Sequence, residues 1–202
     1  MNSDLCLILY SYLSLEEILI FFNDNIYTRD KIIRLYHKIL PDVNKSCAQG
    51  ELYTIKFLLE KRIRPSKKAI DWAAENGHLD VVKYLFENGY KISDDTIEWA
   101  CQSGRLNVVE YLFEKGYTPT SNSLDWASNN GYMNVVKYCV EKGIMPTHYS
   151  IDWASENGHF QIVKYLFEKG VRATSITIDN AIKNGHQEIY NYLYGKKILP
   201  SD

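Results

Sequence analysis

The chain has 202 residues, of which 46% are hydrophobic and 24% charged, and its formal net charge is −2. This composition is that of an ordinary soluble protein and excludes a disordered chain. A charge so close to neutral gives no general attraction to nucleic acid or to an anionic membrane surface, so we expect neither as a partner.

The cysteines and the apolar segments exclude further classes. The four cysteines are scattered and contain no C-x-x-C pair, which argues against a disulfide framework or a zinc site. A reducing compartment, the cytoplasm, is therefore the expected location. The most apolar stretch near the start, residues 5–13, is too short to span a bilayer, and no basic region of a secretory signal precedes it.

Residues 1–45 differ in pattern from the rest of the chain, and two interpretations of them stay open. Apolar residues spaced for helices over residues 4–22 and 29–39 predict a helical N-terminal cap for the first repeat of the segment that follows. Alternatively, DLCLILYSYLSLEEIL resembles the start of an F-box in its leucine spacing and in the "SYL" before a second helix. The leucine–proline pair that usually opens that motif is absent.

From residue 46 onward the sequence repeats every 27 residues, and a fixed period of this size predicts a solenoid. We divide this segment into six units, of which the first is degenerate: about 46–65, 66–92, 93–119, 120–146, 147–173 and 174–202. The period is carried by glycines, tryptophans and alanines, at Gly50, Gly77, Gly104, Gly131, Gly158 and Gly185, at Trp72, Trp99, Trp126 and Trp153, and at Ala73, Ala100, Ala127, Ala154 and Ala181.

Each regular unit predicts a helix, a turn and a second helix. A serine or threonine opens the unit and can cap the first helix, as Ser93 and Thr120 do in theirs. One glycine ends the first helix and another ends the second, for example Gly77 and Gly89. The tryptophan faces away from the core stripe, so we predict that a neighbouring repeat covers it.

These units resemble the ankyrin repeat. The string from Trp72 to Gly89, WAAENGHLDVVKYLFENG, has the alanine turn, the glycine–histidine pair, the paired valines and the final glycine of that family. The family's threonine–proline–leucine–histidine opening is absent, and its usual period is about 33 residues. The resemblance therefore implies an all-α, ankyrin-like solenoid of helix-turn-helix repeats, with β-hairpin fingers that are shortened or absent.

The resemblance extends to origin and function. Short, tryptophan-bearing units of this type resemble the ankyrin proteins of amoeba-infecting giant viruses, which implies a location in the host cytoplasm. The family implies a protein–protein interaction scaffold that binds a partner protein through its concave face. We expect the chain to be a monomer. The alternative is an F-box-like substrate adaptor of a ubiquitin ligase, with the repeats as the substrate receptor.

No motif predicts catalysis, a cofactor or a metal ion. Five acids recur in one column, Asp71, Glu98, Asp125, Asp152 and Asp179, but each is one repeat from the next. We interpret them as a structural hydrogen-bond ladder between repeats rather than as an acid/base pair. His78, His159 and His186 belong to the glycine–histidine turn and are too widely separated for a metal site. We therefore predict that the protein is not an enzyme.

The residues that vary between repeats predict the binding face, although an ordinary solvated surface is the alternative. Counted with the acidic column, this face carries nine acids and three bases, a net charge of −6, which favours a partner with a basic surface. Its expected anchors are His148, Tyr149 and Ile176. The predicted contact residues are Lys67, Lys68, Glu75, Asp94, Asp95, Gln102, Asn122, Asn129, His148, Tyr149, Glu156, Ile176 and Lys183.

Overall fold

A computed structural model describes residues 41–200 of the chain. The predicted helical cap and the F-box-like segment fall almost entirely on residues 1–40, which lie outside the described part. The chain divides into two compact units between Ala69 and Ile70. The repeat boundaries and the extent of the cap stay predictions.

The first unit contains a pair of short helices, α1 (Val43–Gln49) and α2 (Leu52–Glu60). The side chain of Asp42 caps α1 by accepting a hydrogen bond from the backbone N–H of Asn44 at 2.9 Å. Gly50 ends the helix in the left-handed conformation, with φ 75°. The backbone of Arg62 is also left-handed after α2, with φ 61°, where the regular repeats have glycine.

The second unit is a succession of helix pairs of nearly uniform length. Each first helix is followed by a second helix after a turn of two to three residues, which includes the glycine of the 27-residue column. The pairs are α3 (Ala69–Asn76) and α4 (Leu79–Glu87), α5 (Asp94–Gln102) and α6 (Leu106–Glu114), α7 (Ser121–Asn129) and α8 (Met133–Glu141), α9 (His148–Glu156) and α10 (Phe160–Glu168), and α11 (Ser175–Lys183) and α12 (Gln187–Gly195).

These helices form two parallel rows. The first helices α5, α7, α9 and α11 pack side by side, and the second helices α4, α6, α8, α10 and α12 form the row behind them. The core lies between the rows and repeats with the sequence: in the third regular unit Leu124, Ala127, Val135, Val136 and Cys139 are all fully buried. The predicted all-α solenoid is thus confirmed for the described residues.

The predicted helix starts and stops hold in most repeats. Ser93, Thr120 and Thr174 form capping boxes at the first turns of α5, α7 and α11. Ser66 is different, because α3 begins only at Ala69 and the backbone N–H of Ser66 donates instead to Asn44 Oδ1 at 2.7 Å. Left-handed backbone ends the helices, at Gly89 with φ 82° for example, because glycine has no Cβ to clash there.

The β-hairpin finger of longer repeats is replaced by a short loop. Residues 90–93, between α4 and α5, have no regular structure, and residues 41–200 contain no β-strand. In the described part of the chain, no helix is both long enough and apolar enough to cross a membrane.

Candidate partner-binding face

The acidic column joins successive first helices through hydrogen bonds. The acids of the first four regular units accept from hydroxyl groups at the start of the next first helix, at the capping position or three residues after it. The carboxylate of Glu98, for example, accepts from Thr120 Oγ1 at 3.0 Å. The pairs are Asp71 with Ser93 and Thr96, Glu98 with Thr120, Asp125 with Thr147 and Ser150, and Asp152 with Thr177.

This ladder is the structural role predicted for the column, and it changes the electrostatics of the face. Asp125 is 2% exposed and Asp152 is 6% exposed, so these carboxylates lie beneath the surface and do not face a partner directly. Burial raises the pKa of the Asp152 carboxyl above its ordinary value, while the hydrogen bond from Thr177 and the positive charge of His148 oppose that shift.

In the second unit, the residue after the turn glycine contacts the preceding repeat at several positions. The Nε2 atoms of His159 and His186 lie 2.9 Å from the carbonyl oxygens of Asn129 and Glu156, respectively. Arg105 fills the same position with a different side chain, and its Nε donates to the carbonyl oxygen of Glu75 at 2.9 Å. The structural role predicted for His159 and His186 therefore agrees with their contacts.

Most of the predicted contact residues are exposed. Tyr149 is 49% exposed and Ile176 is 58% exposed. Lys67 and Lys68 belong to the first unit, whereas the other predicted residues belong to the second. The exposed set is Lys67, Lys68, Asp94, Asp95, Asn122, His148, Tyr149, Glu156, Ile176 and Lys183, and the half-buried set is Glu75, Gln102 and Asn129.

The prediction that neighbouring repeats cover the tryptophans is wrong for three of the four. Trp72, Trp99 and Trp126 are 38%, 43% and 44% exposed, respectively. The first helices approach one another through small buried residues such as Ser128 and Ser155, so no groove between them admits an indole ring. The tryptophans therefore extend along the outer edge of the first-helix row.

An aromatic stack lies on two neighbouring helices of this row, α7 and α9. The ring centroids of Trp126 and Trp153 are 5.2 Å apart, and those of Trp153 and Tyr149 are 5.3 Å apart. His148 extends the stack, with its ring centroid 4.0 Å from that of Tyr149. Rings at these distances stabilise one another, and two of the predicted anchors, His148 and Tyr149, belong to the same cluster as the tryptophans.

Sequence reasoning missed the tryptophans as surface residues, although a signal for them existed. In each repeat the tryptophan follows a variable contact position by four residues, so the two side chains share a helix face. Asp95 precedes Trp99 in this way, and Tyr149 precedes Trp153. We call the exposed surface formed by these two positions on α3, α5, α7, α9 and α11 the first-helix face; its residues in the second unit are Trp72, Asp95, Trp99, Asn122, Trp126, Tyr149, Trp153, Ile176 and Asn180.

The row that bears this face is strongly acidic within the second unit. Its first helices and their variable positions carry nine carboxylates, including the buried ones, against a single lysine, Lys183. The predicted balance of −6 included Lys67 and Lys68, which lie in the other unit. The exposed acids are Asp94, Asp95 and Glu156. The half-buried acids are Asp71, Glu75, Glu98 and Asp179.

The second-helix row has a different surface, in which lysines lie over aromatic rings. Lys83 Nζ is 5.2 Å from the ring centroid of Tyr111, and Lys137 Nζ is 5.9 Å from that of Tyr165. Such contacts explain why lysine and tyrosine recur together in this row. They agree with the packing role that the sequence suggested for these columns.

The cysteines of the second unit lie in its core. Cys101 and Cys139 are fully buried and form no disulfide, and the hydrogen bond with Cys139, together with burial, raises the pKa of the Cys101 thiol. Among residues 41–200, no three histidine, cysteine, aspartate or glutamate side chains come together as a metal ion would require.

Two family models match the chain, one of "ankyrin repeats (3 copies)" over residues 97–177 and one of a single ankyrin repeat over residues 65–94. Among solved structures, the chain is similar to the human ASB11 ankyrin repeat domain, with a TM-score of 0.65 and 18% sequence identity. That match covers 77% of this chain and 83% of the other. No curated protein matches the sequence.

Proposed function

Since this chain belongs to the ankyrin repeat proteins, we propose that it binds a partner protein through the first-helix face of its second unit. The residues that recur in every repeat form the helix rows, the core and the hydrogen-bond ladder. The side chains on the first-helix face take almost no part in these tasks, so binding is the function that they are free to serve.

The observation that carries the proposal is the exposure of large apolar side chains on a single face. Soluble proteins keep contiguous apolar surface small unless a partner covers it. Here Trp99, Trp126, Tyr149 and Ile176 are each at least 43% exposed, and all belong to the first helices. Aromatic anchors among polar neighbours are typical of the residues that contribute most to protein–protein affinity.

The proposed partner has a basic surface, because the first-helix row is acidic. Opposite charges raise the rate of encounter and select among partners more than they raise affinity. We propose the cytoplasm as the place of the interaction and a monomer as the acting form. The resemblance to giant-virus ankyrin proteins supports the cytoplasm of a host cell.

Substitution of two anchors tests the proposal. The full chain and its Tyr149→Ala and Ile176→Ser variants are used to capture proteins, and a captured protein is then purified and titrated against each. We expect the two substitutions to weaken binding by about 1–2 kcal/mol each, or roughly five- to thirtyfold.

A matched control is Tyr194→Ala, which removes a ring of similar exposure, 52%, from the second-helix row. The Tyr194→Ala variant should bind the captured protein with the same affinity as the unchanged chain. Equal affinity for all four proteins, each with an intact helical spectrum, would remove the first-helix face from consideration as the site.

The F-box-like segment supports a second candidate function, substrate recognition for a ubiquitin ligase. It concerns residues 1–40, which lie outside the described part of the chain. Deletion of this segment separates the interpretations. A cap is required for folding, so its loss should produce aggregation, whereas loss of an F-box should leave a folded chain that no longer co-purifies with the ligase adaptor.

A further inference from the structure

The tryptophans of the first-helix face are not equivalent, because some contact each other and some do not. Trp126 and Trp153 are in ring contact, with centroids 5.2 Å apart. In the described structure, no ring contact joins Trp72 to Trp99 or Trp99 to Trp126, although each pair is also one repeat apart. We call the gap between Trp72 and Trp99 the first interval and the gap between Trp99 and Trp126 the second interval. In both intervals the indole ring of Trp99 lacks an aromatic neighbour.

Carboxylates accompany these two intervals. Asp95 lies one helical turn before Trp99 on α5, and Glu75 lies three residues after Trp72 on α3, so each shares a helix face with its tryptophan. Asp94 and Asp95 are exposed. The carboxylate of Asp71 accepts hydrogen bonds from Ser93 and Thr96 in the next repeat. It adds negative charge beneath the first interval.

An indole face beside a carboxylate is a binding site for a guanidinium group. Arginine is planar, stacks on aromatic rings and donates two parallel hydrogen bonds to a carboxylate, whereas the lysine ammonium group is a compact charge that keeps its hydration. A site of this kind should therefore prefer arginine to lysine.

The spacing of the intervals indicates the conformation of the ligand. Packed helices lie about 8–10 Å apart, so the two intervals are separated by about that distance. A segment in the polyproline II conformation rises about 3.1 Å per residue with three residues per turn. Every third side chain thus returns to the same face after about 9 Å, which matches the repeat distance.

We propose that the two intervals flanking Trp99 each receive the guanidinium group of an arginine from an extended segment of the partner, the two arginines being three residues apart in its sequence. The inference rests on the proposed function and specifies the partner's chemistry. Asparagine side chains at the helix ends provide further contacts: Asn76 Nδ2 donates to the carbonyl oxygen of Trp72 at 2.8 Å, which leaves acceptor capacity on Oδ1 for a backbone N–H of the segment.

Three short synthetic peptides of equal length and charge test the inference. One has two arginines three residues apart among prolines and alanines, the second has the same residues with the arginines adjacent, and the third has lysines in place of the arginines. Each carries a fluorescent label, and its binding to the full chain is measured by fluorescence anisotropy. We expect the first peptide to bind at least about fivefold more tightly than the other two.

Variants of the chain locate the binding. Trp99→Ala should remove the preference for spaced arginines, and Asp95→Asn, which leaves the ring in place, should weaken the spaced-arginine peptide by roughly fivefold. Tyr194→Ala, at the second-helix row, should bind all three peptides as the unchanged chain does. Helical spectra recorded for each variant separate lost binding from lost folding.

Several outcomes would overturn the inference: no binding of the spaced-arginine peptide, equal binding of all three peptides, or a preference that Trp99→Ala leaves intact. Each of these results would leave the proposed function standing if Tyr149→Ala and Ile176→Ser still weaken the captured partner. If the unchanged chain shows no preference for the spaced-arginine peptide, and Tyr149→Ala and Ile176→Ser bind the captured partner as the unchanged chain does, both this inference and the proposed function are rejected.

Discussion

His159 covers Gly131 of the preceding repeat. Its Nε2 lies 2.9 Å from the carbonyl oxygen of Asn129, and a Cβ placed on Gly131 would come within 2.7 Å of its Cε1. The backbone of Gly131 is also left-handed, with φ 80°. Glycine is therefore required here for two separate reasons, its backbone conformation and the ring packed against it.

A comparison of two glycines should separate these reasons. Gly116 has φ 91°, and a Cβ added to it would meet no heavy atom within 4 Å, so Gly116→Ala should cost only the left-handed strain, about 1 kcal/mol. Gly131→Ala should lower the free energy of unfolding by about 1–3 kcal/mol more, because it also forces the His159 ring to move. Urea denaturation followed by circular dichroism measures both costs.

The control for this comparison is His159→Ala. In that background Gly131→Ala should cost about as much as Gly116→Ala does in the unchanged chain, because the clash has been removed. Equal costs for the two glycine substitutions in the unchanged chain would contradict the contact between Gly131 and His159.

Much of this arrangement could be predicted from the sequence, because it follows from backbone geometry that recurs. The 27-residue glycine column marks the left-handed turns, and the hydroxyl that opens each unit marks most helix starts. The start of α3 could not be predicted in this way. Ser66 has the expected hydroxyl, but its backbone N–H donates to the side chain of Asn44, and the helix begins three residues later.

The hydrogen bonds of the acidic column should contribute measurably to stability. Ser150 is fully buried and its hydroxyl donates to the carboxylate of Asp125 in the preceding repeat. Ser150→Ala would deprive a buried carboxylate of a donor, so we expect a loss of about 1–3 kcal/mol in the free energy of unfolding.

Ser128→Ala is the matched control, because Ser128 is equally buried but donates to the carbonyl oxygen of Leu124 within its own helix, at 2.8 Å. That carbonyl keeps its helical role without the serine, so the substitution should change stability by less than about 0.5 kcal/mol. If Ser150→Ala and Ser128→Ala lower the free energy of unfolding by similar amounts, the hydrogen bond between repeats does not stabilise the chain more than the one within a helix.

The raised pKa of Asp152 predicts a dependence of stability on pH. Burial favours the protonated carboxyl in the folded chain, so the folded state binds more protons than the unfolded state between the ordinary value of 3.8 and the raised pKa. The contribution of Asp152 to stability therefore falls as pH rises through that window and is constant above it.

Asp152→Asn removes this titration but keeps an oxygen that can accept from the hydroxyl of Thr177. We expect the variant to gain stability relative to the unchanged chain between about pH 4 and pH 7, as measured by urea denaturation at both values. The charge of His148 acts on the same carboxylate, so a His148→Ala background identifies the part of the change that this interaction contributes. If the difference in the free energy of unfolding between Asp152→Asn and the unchanged chain does not vary with pH, the pKa of Asp152 is not raised in the folded chain.

The exposure of the tryptophans does not follow from helical periodicity alone, because periodicity shows only which side chains leave the core stripe. Whether a neighbour then covers them depends on how closely the helices approach. Small residues such as Ser128 and Ser155 bring the first helices together, and Ser155 donates a hydrogen bond directly to the backbone oxygen of Thr177. That approach leaves no room for an indole between the helices.

Stability measurements can show whether an exposed tryptophan is part of the scaffold. Trp126 is 44% exposed and makes one ring contact, with Trp153, so Trp126→Ala should cost about 1 kcal/mol. Leu124→Ala, two residues earlier in the same helix and fully buried, should cost about 2–5 kcal/mol. If the tryptophan costs as much as the leucine, packing alone accounts for its recurrence in every regular repeat but the last, and the exposed ring needs no partner. A small cost combined with weakened partner binding would mean that the ring is held on the surface for contact with another protein.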